Sequence, residues 1–181
     1  MANYSLNAAG AIRDFLWSKL STTDSNVKSG QKMFEPSDYQ IDLLSGTEFT
    51  MIPIIPSQQD ALLDGALADR NHIIYDYVAD GYEDNWMICR DSMMFTIYSK
   101  SYAEIAEVQN LMLDLFRRMD DTAEDINNYI GSSSPFIFFS VSLIDLLSPE
   151  PEREKVGWQA GQVVIRYKYG RQISPTTGRF S

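Results

Sequence analysis

Apolar residues recur along this chain with two periods, and each period predicts a different element. Between residues 6 and 20, Ala9, Ile12, Leu16 and Leu20 are spaced by three and four with Phe15 beside them, the pattern of an amphipathic helix. Ser5 or Asn7 can cap its first turn. A wider stripe follows Ser101, which with Glu104 forms a capping box and starts a helix. Ile105, Val108, Met112, Leu115 and Met119 then recur at three and four, joined by Leu111 and Phe116. Asp121 with Glu124 opens a shorter helix carrying Ile126 and Ile130, and Gly131 stands where a C-terminal cap belongs.

Elsewhere the period is two. HIIYDYV, from His72, alternates Ile73, Tyr75 and Tyr77 against Ile74, Asp76 and Val78, as a strand does. A polar turn at Asp80, Gly81, Glu83, Asp84 and Asn85 leads into the long apolar run Trp86 to Tyr98, expected as a central strand paired with the first in a hairpin. Phe136 to Leu147 reads as another central strand with Ile137, Phe139, Val141 and Leu143 on one face, and SPEPEREK after it as a loop. Gln162 to Tyr169 alternates Val163, Ile165, Tyr167 and Tyr169 against Arg166 and Lys168, a half-solvated strand. Before His72 the pattern weakens. Ser21 to Phe34 is polar and turn-prone, short extended pieces follow at Tyr39 to Leu44 and Thr47 to Ile55, and Pro53 and Pro56 interrupt them. The expected fold is a single α+β domain over residues 1–181, a mostly antiparallel sheet flanked by helices on one side, with an extended arm (21–55) and a C-terminal tail (170–181).

A length of 181 residues with 44% hydrophobic and 22% charged residues fits one sizeable core. Charge narrows the function further: 25 acidic against 15 basic residues give a net charge of -10, a field that repels polyanions. The basic residues are scattered along the chain, and the adjacent pair Arg117 and Arg118 ends a helix, where cations offset the dipole. Gripping of nucleic acid is therefore not expected. Met1 to Asn7 lacks the pattern of a secretory signal, and no apolar run approaches the ~20 residues of a membrane span. Cys89 is the sole cysteine, which precludes an intrachain disulfide and points to folding in a reducing cytoplasm.

Catalytic patterns are sparse. His72 is the only histidine, so an HExxH helix or a His-rich metal site is excluded by count. Strand pairing would make His72 and Cys89 neighbours, but no third group is placed to orient them, and both read as structural. DYVADGYED puts Asp76, Asp80 and Gly81 at the first, fifth and sixth places of a calcium loop, yet Val78 and Met87 occupy the third and twelfth, so a solvated hairpin turn is expected. No phosphate-cradling glycine motif occurs, and the carboxylate pairs Glu83–Asp84 and Asp120–Asp121 stand in solvated turns. No cofactor, metal or catalytic residue is expected. The isolated apolar residues of the arm, Met33, Phe34, Tyr39, Phe49 and Met51, are instead expected to anchor in a neighbouring subunit.

Three passages, PIIPSQQD before HIIYDYV, the strand-to-helix run MMFTIYSKSYAEIAEVQNLMLDLFRR, and FIFFSVSLIDLL followed by an acidic loop and QVVIRYKY, together span Ile54 to Tyr169. In this layout the chain resembles the tail terminator, or tail-completion, proteins of long-tailed bacteriophages. The resemblance implies a homo-oligomeric ring, usually a hexamer, that caps the tail tube and joins it to the neck or connector in the virion, with no enzymatic activity. The long segment Ser21 to Ile52 departs from the smallest members and would suit contact with a tail sheath. It also implies a channel through which DNA slides without sticking, lined by acidic residues from one of two clusters: Asp80, Glu83 and Asp84, or Glu150, Glu152 and Glu154. Alternatives are another neck or baseplate ring protein, or a small cytosolic enzyme or ligand-binding domain.

Overall fold

Stretches with period-two alternation are strands, and the three-and-four stripes are helices, in the computed structural model, which describes residues 8–21, 34, 36–42, 48–58, 67–82, 88–153 and 155–171. In chain order the elements are α1 (Ala8–Leu20), a 3-10 turn (Pro36–Tyr39), β1 (Gln40–Asp42), β2 (Glu48–Thr50), β3 (Ile54–Pro56), β4 (His72–Tyr82) and β5 (Ile88–Ser99). α2 (Tyr102–Phe116), α3 (Asp120–Ile130), β6 (Phe136–Pro151) and β7 (Gln159–Arg171) complete them. Five strands form one sheet in the order β3-β4-β5-β7-β6, and β1 pairs with β2 apart from it. The β3–β4 pairing is parallel and the other pairings in this sheet are antiparallel. The chain is thus a single α+β domain with a mostly antiparallel sheet, as its alternation predicts.

One sheet face carries the core. Ile73, Tyr75, Met93, Phe95, Ile97, Val163, Ile165 and Tyr167 are buried there, opposite Ile105, Val108, Met112 and Phe116 of α2. Full burial of one such aliphatic or aromatic side chain stabilises the fold by about 1.5–3 kcal/mol. α2 lies on β5, β6 and β7, α3 on β6, and α1 against α3, so the helices share this side of the sheet. Phe15 of α1 meets Tyr129 of α3 edge-on at 5.8 Å.

Helix ends follow local chemistry. Ser101 caps α2 by accepting a hydrogen bond from the Glu104 amide at 3.4 Å. The reciprocal half of the capping box is diverted: the Glu104 carboxylate accepts from Ser99 Oγ at 2.6 Å and from Asn71 Nδ2 at 3.3 Å. The Ser101 amide donates to Ser99 Oγ at 3.0 Å instead. α2 stops at Phe116, three residues before the end of its predicted stripe, and Met119 turns outward with φ 50° as the residue preceding α3. The Thr122 hydroxyl donates to the Leu115 carbonyl and ties that corner. Gly131 ends α3 with φ 76°, where glycine tolerates the left-handed backbone that its expected cap role requires.

Three expectations are corrected by pairing. β6 is an edge strand, because β7 inserts between it and β5. Its inward face is not set by simple alternation either: a register shift between Phe138 and Ser140 changes parity. Phe136, Phe138 and Val141 are buried, while Ile137 and Phe139 are 39% and 43% exposed. Finally, strands continue into segments that read as turn or loop. β4 runs through Asp80 and Gly81 with a shift between Ala79 and Gly81, and β6 runs to Pro151 with Glu150 opposite Ala160.

Candidate interaction surface

The second face of the sheet is defined by register, because directly paired residues project on the same side. Starting from the β4–β5 turn, one row across it reads Ile88, Gly170, Ile137, and the next reads Arg90, Lys168, Ser140. Val78, Ser92, Arg166 and Ser142 form the following row, then Asp76, Met94, Val164 and Asp145. Ile74, Thr96, Gln162 and Leu147 precede the last row, His72, Tyr98, Ala160 and Glu150.

Large apolar groups stand out on this face. Val78 is 62% exposed and Leu147 49%. Phe139 lies over Gly170: a Cβ added there would come within 3.1 Å of its ring and 3.4 Å of Ile137 Cγ2. Beside this aromatic pad the register gathers Arg90 and Arg166, both exposed, and half-buried Lys168. Their separation in sequence hides this cluster. The Arg166 and Lys168 alternation is visible in QVVIRYKY, but only the β5–β7 register brings Arg90 beside them.

The far end of the same face is closed by aromatic packing. His72 is buried, stacks on Tyr98 at 4.9 Å and approaches Trp158 at 5.8 Å. Lys155 and Lys100 place their ammonium groups 4.0 and 5.4 Å from the Trp158 ring, the geometry of cation–π attraction. Lys155 also donates to the Ala68 carbonyl, and His72 Nδ1 lies 2.8 Å from the Arg70 carbonyl. Burial holds the imidazole pKa below its ordinary value; the Arg70 hydrogen bond opposes that, and the nearby Lys155 charge adds to it.

Each residue singled out by sequence has a definite place or lies outside the described set. Phe34, Tyr39 and Met51 are buried in their own chain's core. Trp17, Phe34 and Tyr39 meet one another at 6.1–6.3 Å, and the Tyr39 hydroxyl donates to the Asn71 carbonyl at 2.7 Å. These three, expected to anchor in a neighbouring subunit, are thus buried within their own chain, Phe34 and Tyr39 against Trp17 of α1. Met33 and the Phe49 side chain lie outside the described residues, as do Glu83, Asp84, Glu154 and the Asp80 side chain. Glu150 is exposed and Glu152 half-buried; with Leu146, Leu147 and Arg153 they line a cleft of about 550 Å³. The two acidic clusters stand at opposite ends of the strands, Asp80 beside the β4–β5 turn and Glu150 beside the β6–β7 connection.

The candidate nucleophile pair does not assemble. His72 pairs with Tyr98 and Cys89 with Tyr82, at opposite ends of one hairpin. Cys89 and Asp91 are instead buried near Tyr167 and Tyr169, and the Tyr169 hydroxyl donates to Asp91 at 3.0 Å. Among the described residues the buried Tyr167 hydroxyl has no hydrogen-bond partner, and burial, then the Asp91 charge, raises its pKa far above the ordinary phenol range. The segment resembling a calcium loop is strand from His72 to Tyr82, with Asp76 accepting a hydrogen bond from Ser57. No group of three or more His, Cys, Asp or Glu among the described residues is placed to hold a metal ion. Among the same residues, no helix is long and apolar enough to cross a membrane. No family model and no curated protein sequence matches the chain.

Proposed function

We propose that this protein is a structural subunit of a long-tailed bacteriophage virion, a tail terminator that forms a ring, a hexamer as is usual in the family it resembles, on the tail tube and joins it to the neck or connector. The observation that carries this reading is the sheet face opposite the helices. It presents exposed Val78, Phe139 and Leu147 together with Arg90 and Arg166, a combination of apolar anchors and guanidinium groups that favours protein contacts. The resemblance over Ile54 to Tyr169 favours a tail terminator among such assemblies. Its action is steric and cooperative: one side of the ring matches the last tube ring, the other the connector, and each copy multiplies weak contacts. The net charge of -10 suits a passage for DNA that must not adhere. Negative-stain imaging of the purified protein, with and without tail tubes, tests the reading. Closed rings on tube ends are expected; a stable dimer that never yields rings, even with tubes present, overturns it.

A further inference from the structure

Two surfaces on opposite sides of the sheet have complementary chemistry. On the face without helices, Phe139 over Gly170 is bordered by Arg90, Arg166 and Lys168. Each of these residues also has an interaction within its own chain, and Arg90 and Arg166 remain exposed. The acidic residues in the rows of this face lie beyond Arg166: Asp76 on β4 and Asp145 on β6 in the next row, and Glu150 on β6 in the last. The helical side offers the reverse at the corner between α2 and α3. Met119 is 54% exposed there, held outward by its φ of 50°. Asp120, Asp121 and Glu124, in the part of α3 that follows it, are all exposed. Arg118 is engaged by Asp125 at 2.6 Å.

We infer that the helix-free face of one copy receives the α2–α3 corner of the next copy, with Met119 against Phe139 and the carboxylates against Arg90, Arg166 and Lys168. This inference rests on the ring reading above. A thioether against an aromatic ring and carboxylates against guanidinium groups are both favourable pairings, and the apolar centre with a charged border is how hot spots are built. Because the two surfaces lie on opposite sides of one sheet, a chain cannot join its own. The contact is therefore head-to-tail, the kind that closes into a ring when the rotation between copies allows it.

Charge reversal tests the contact. Arg166→Glu with Lys168→Glu in one variant, and Asp121→Lys with Glu124→Lys in another, should each raise the concentration for half-assembly by about tenfold or more, since like charges then face each other. A one-to-one mixture of the two should assemble as the unaltered protein does, because alternating copies restore opposite charges at every joint. If either variant assembles normally, or the mixture does not recover, the inference fails while the ring stands. If the unaltered protein forms no ring alone or on tubes, the ring reading fails and the inference with it. Should reversal unfold a variant, Ser140→Cys in one copy and Glu124→Cys in another read the same contact through a short bis-maleimide cross-linker. A cross-linked dimer is expected from the mixed ring and from neither variant alone; its absence from assembled rings overturns the inference.

Discussion

At Gly161 the helix layer comes close to the sheet: a Cβ there would lie 2.6 Å from Ile105 Cγ2 and 2.9 Å from Gln109 Nε2. The approach serves Gln109, whose buried amide donates to the Leu147 carbonyl at 2.6 Å and to the Gln162 carbonyl at 3.1 Å, beside the register shift that follows Leu147. Gly161→Ala should therefore cost about 1–3 kcal/mol by forcing α2 outward, read from urea unfolding. Gln109→Leu should cost a similar amount, about 1–3 kcal/mol, because it leaves the Leu147 and Gln162 carbonyls without that donor. His72 gives a pH signature. Its folded pKa is held below the unfolded value of 6.5, so the stability of its buried neutral form is complete above pH 6.5 and is lost as pH falls from there through the folded pKa. Melting temperature should drop across that window, and His72→Gln should flatten the drop; an unchanged slope would show that another group causes it.

Edge strands invite pairing with other chains, and β6 is a long one. α3 guards its first half with a side chain that imitates a strand: Asn127 Nδ2 donates to the Phe138 carbonyl and its Oδ1 accepts from the Phe138 amide, each at 2.8 Å. Three register shifts along β6 further break its regularity. Asn127→Ala should destabilise the domain by about 1–3 kcal/mol and promote aggregation, measured by denaturation and by static light scattering. Destabilisation without aggregation would mean that the bulges alone protect the edge. The opposite edge needs less protection, since β3 is three residues long and ends in Pro56.

In the proposed assembly, the separation of the two acidic clusters makes a whole-molecule test possible. Asp80 and Glu150 occupy opposite ends of strands about 35 Å long at roughly 3.3 Å per residue, so a ring that turns one end toward its axis turns the other away. Two variants make the test, one with Glu150 and Glu152 replaced by Lys and one with Asp80, Glu83 and Asp84 replaced by Lys, each checked for folding by circular dichroism. One of the two variants should slow DNA ejection from assembled particles, and more so at low salt, where screening is weaker. Equal ejection from both at every salt concentration would remove the acidic channel from the proposal.

The sequence by itself determined the types and order of the main elements and most of the core. Periods of two and of three-and-four mark α1, β4, β5, α2 and β7 because each element must bury one continuous face, and the Ser101 and Gly131 caps satisfy backbone groups within their own turn. What tertiary structure decided depends on partners distant in sequence. The insertion of β7 beside β5 made β6 an edge, the shift at Phe138 turned Phe139 outward, and packing on α1 drew Phe34 and Tyr39 inward. The cluster of Arg90 with Arg166 and Lys168 belongs to the same class: in sequence each is one polar position of an alternating strand, and only register, which local pattern does not encode, sets them side by side.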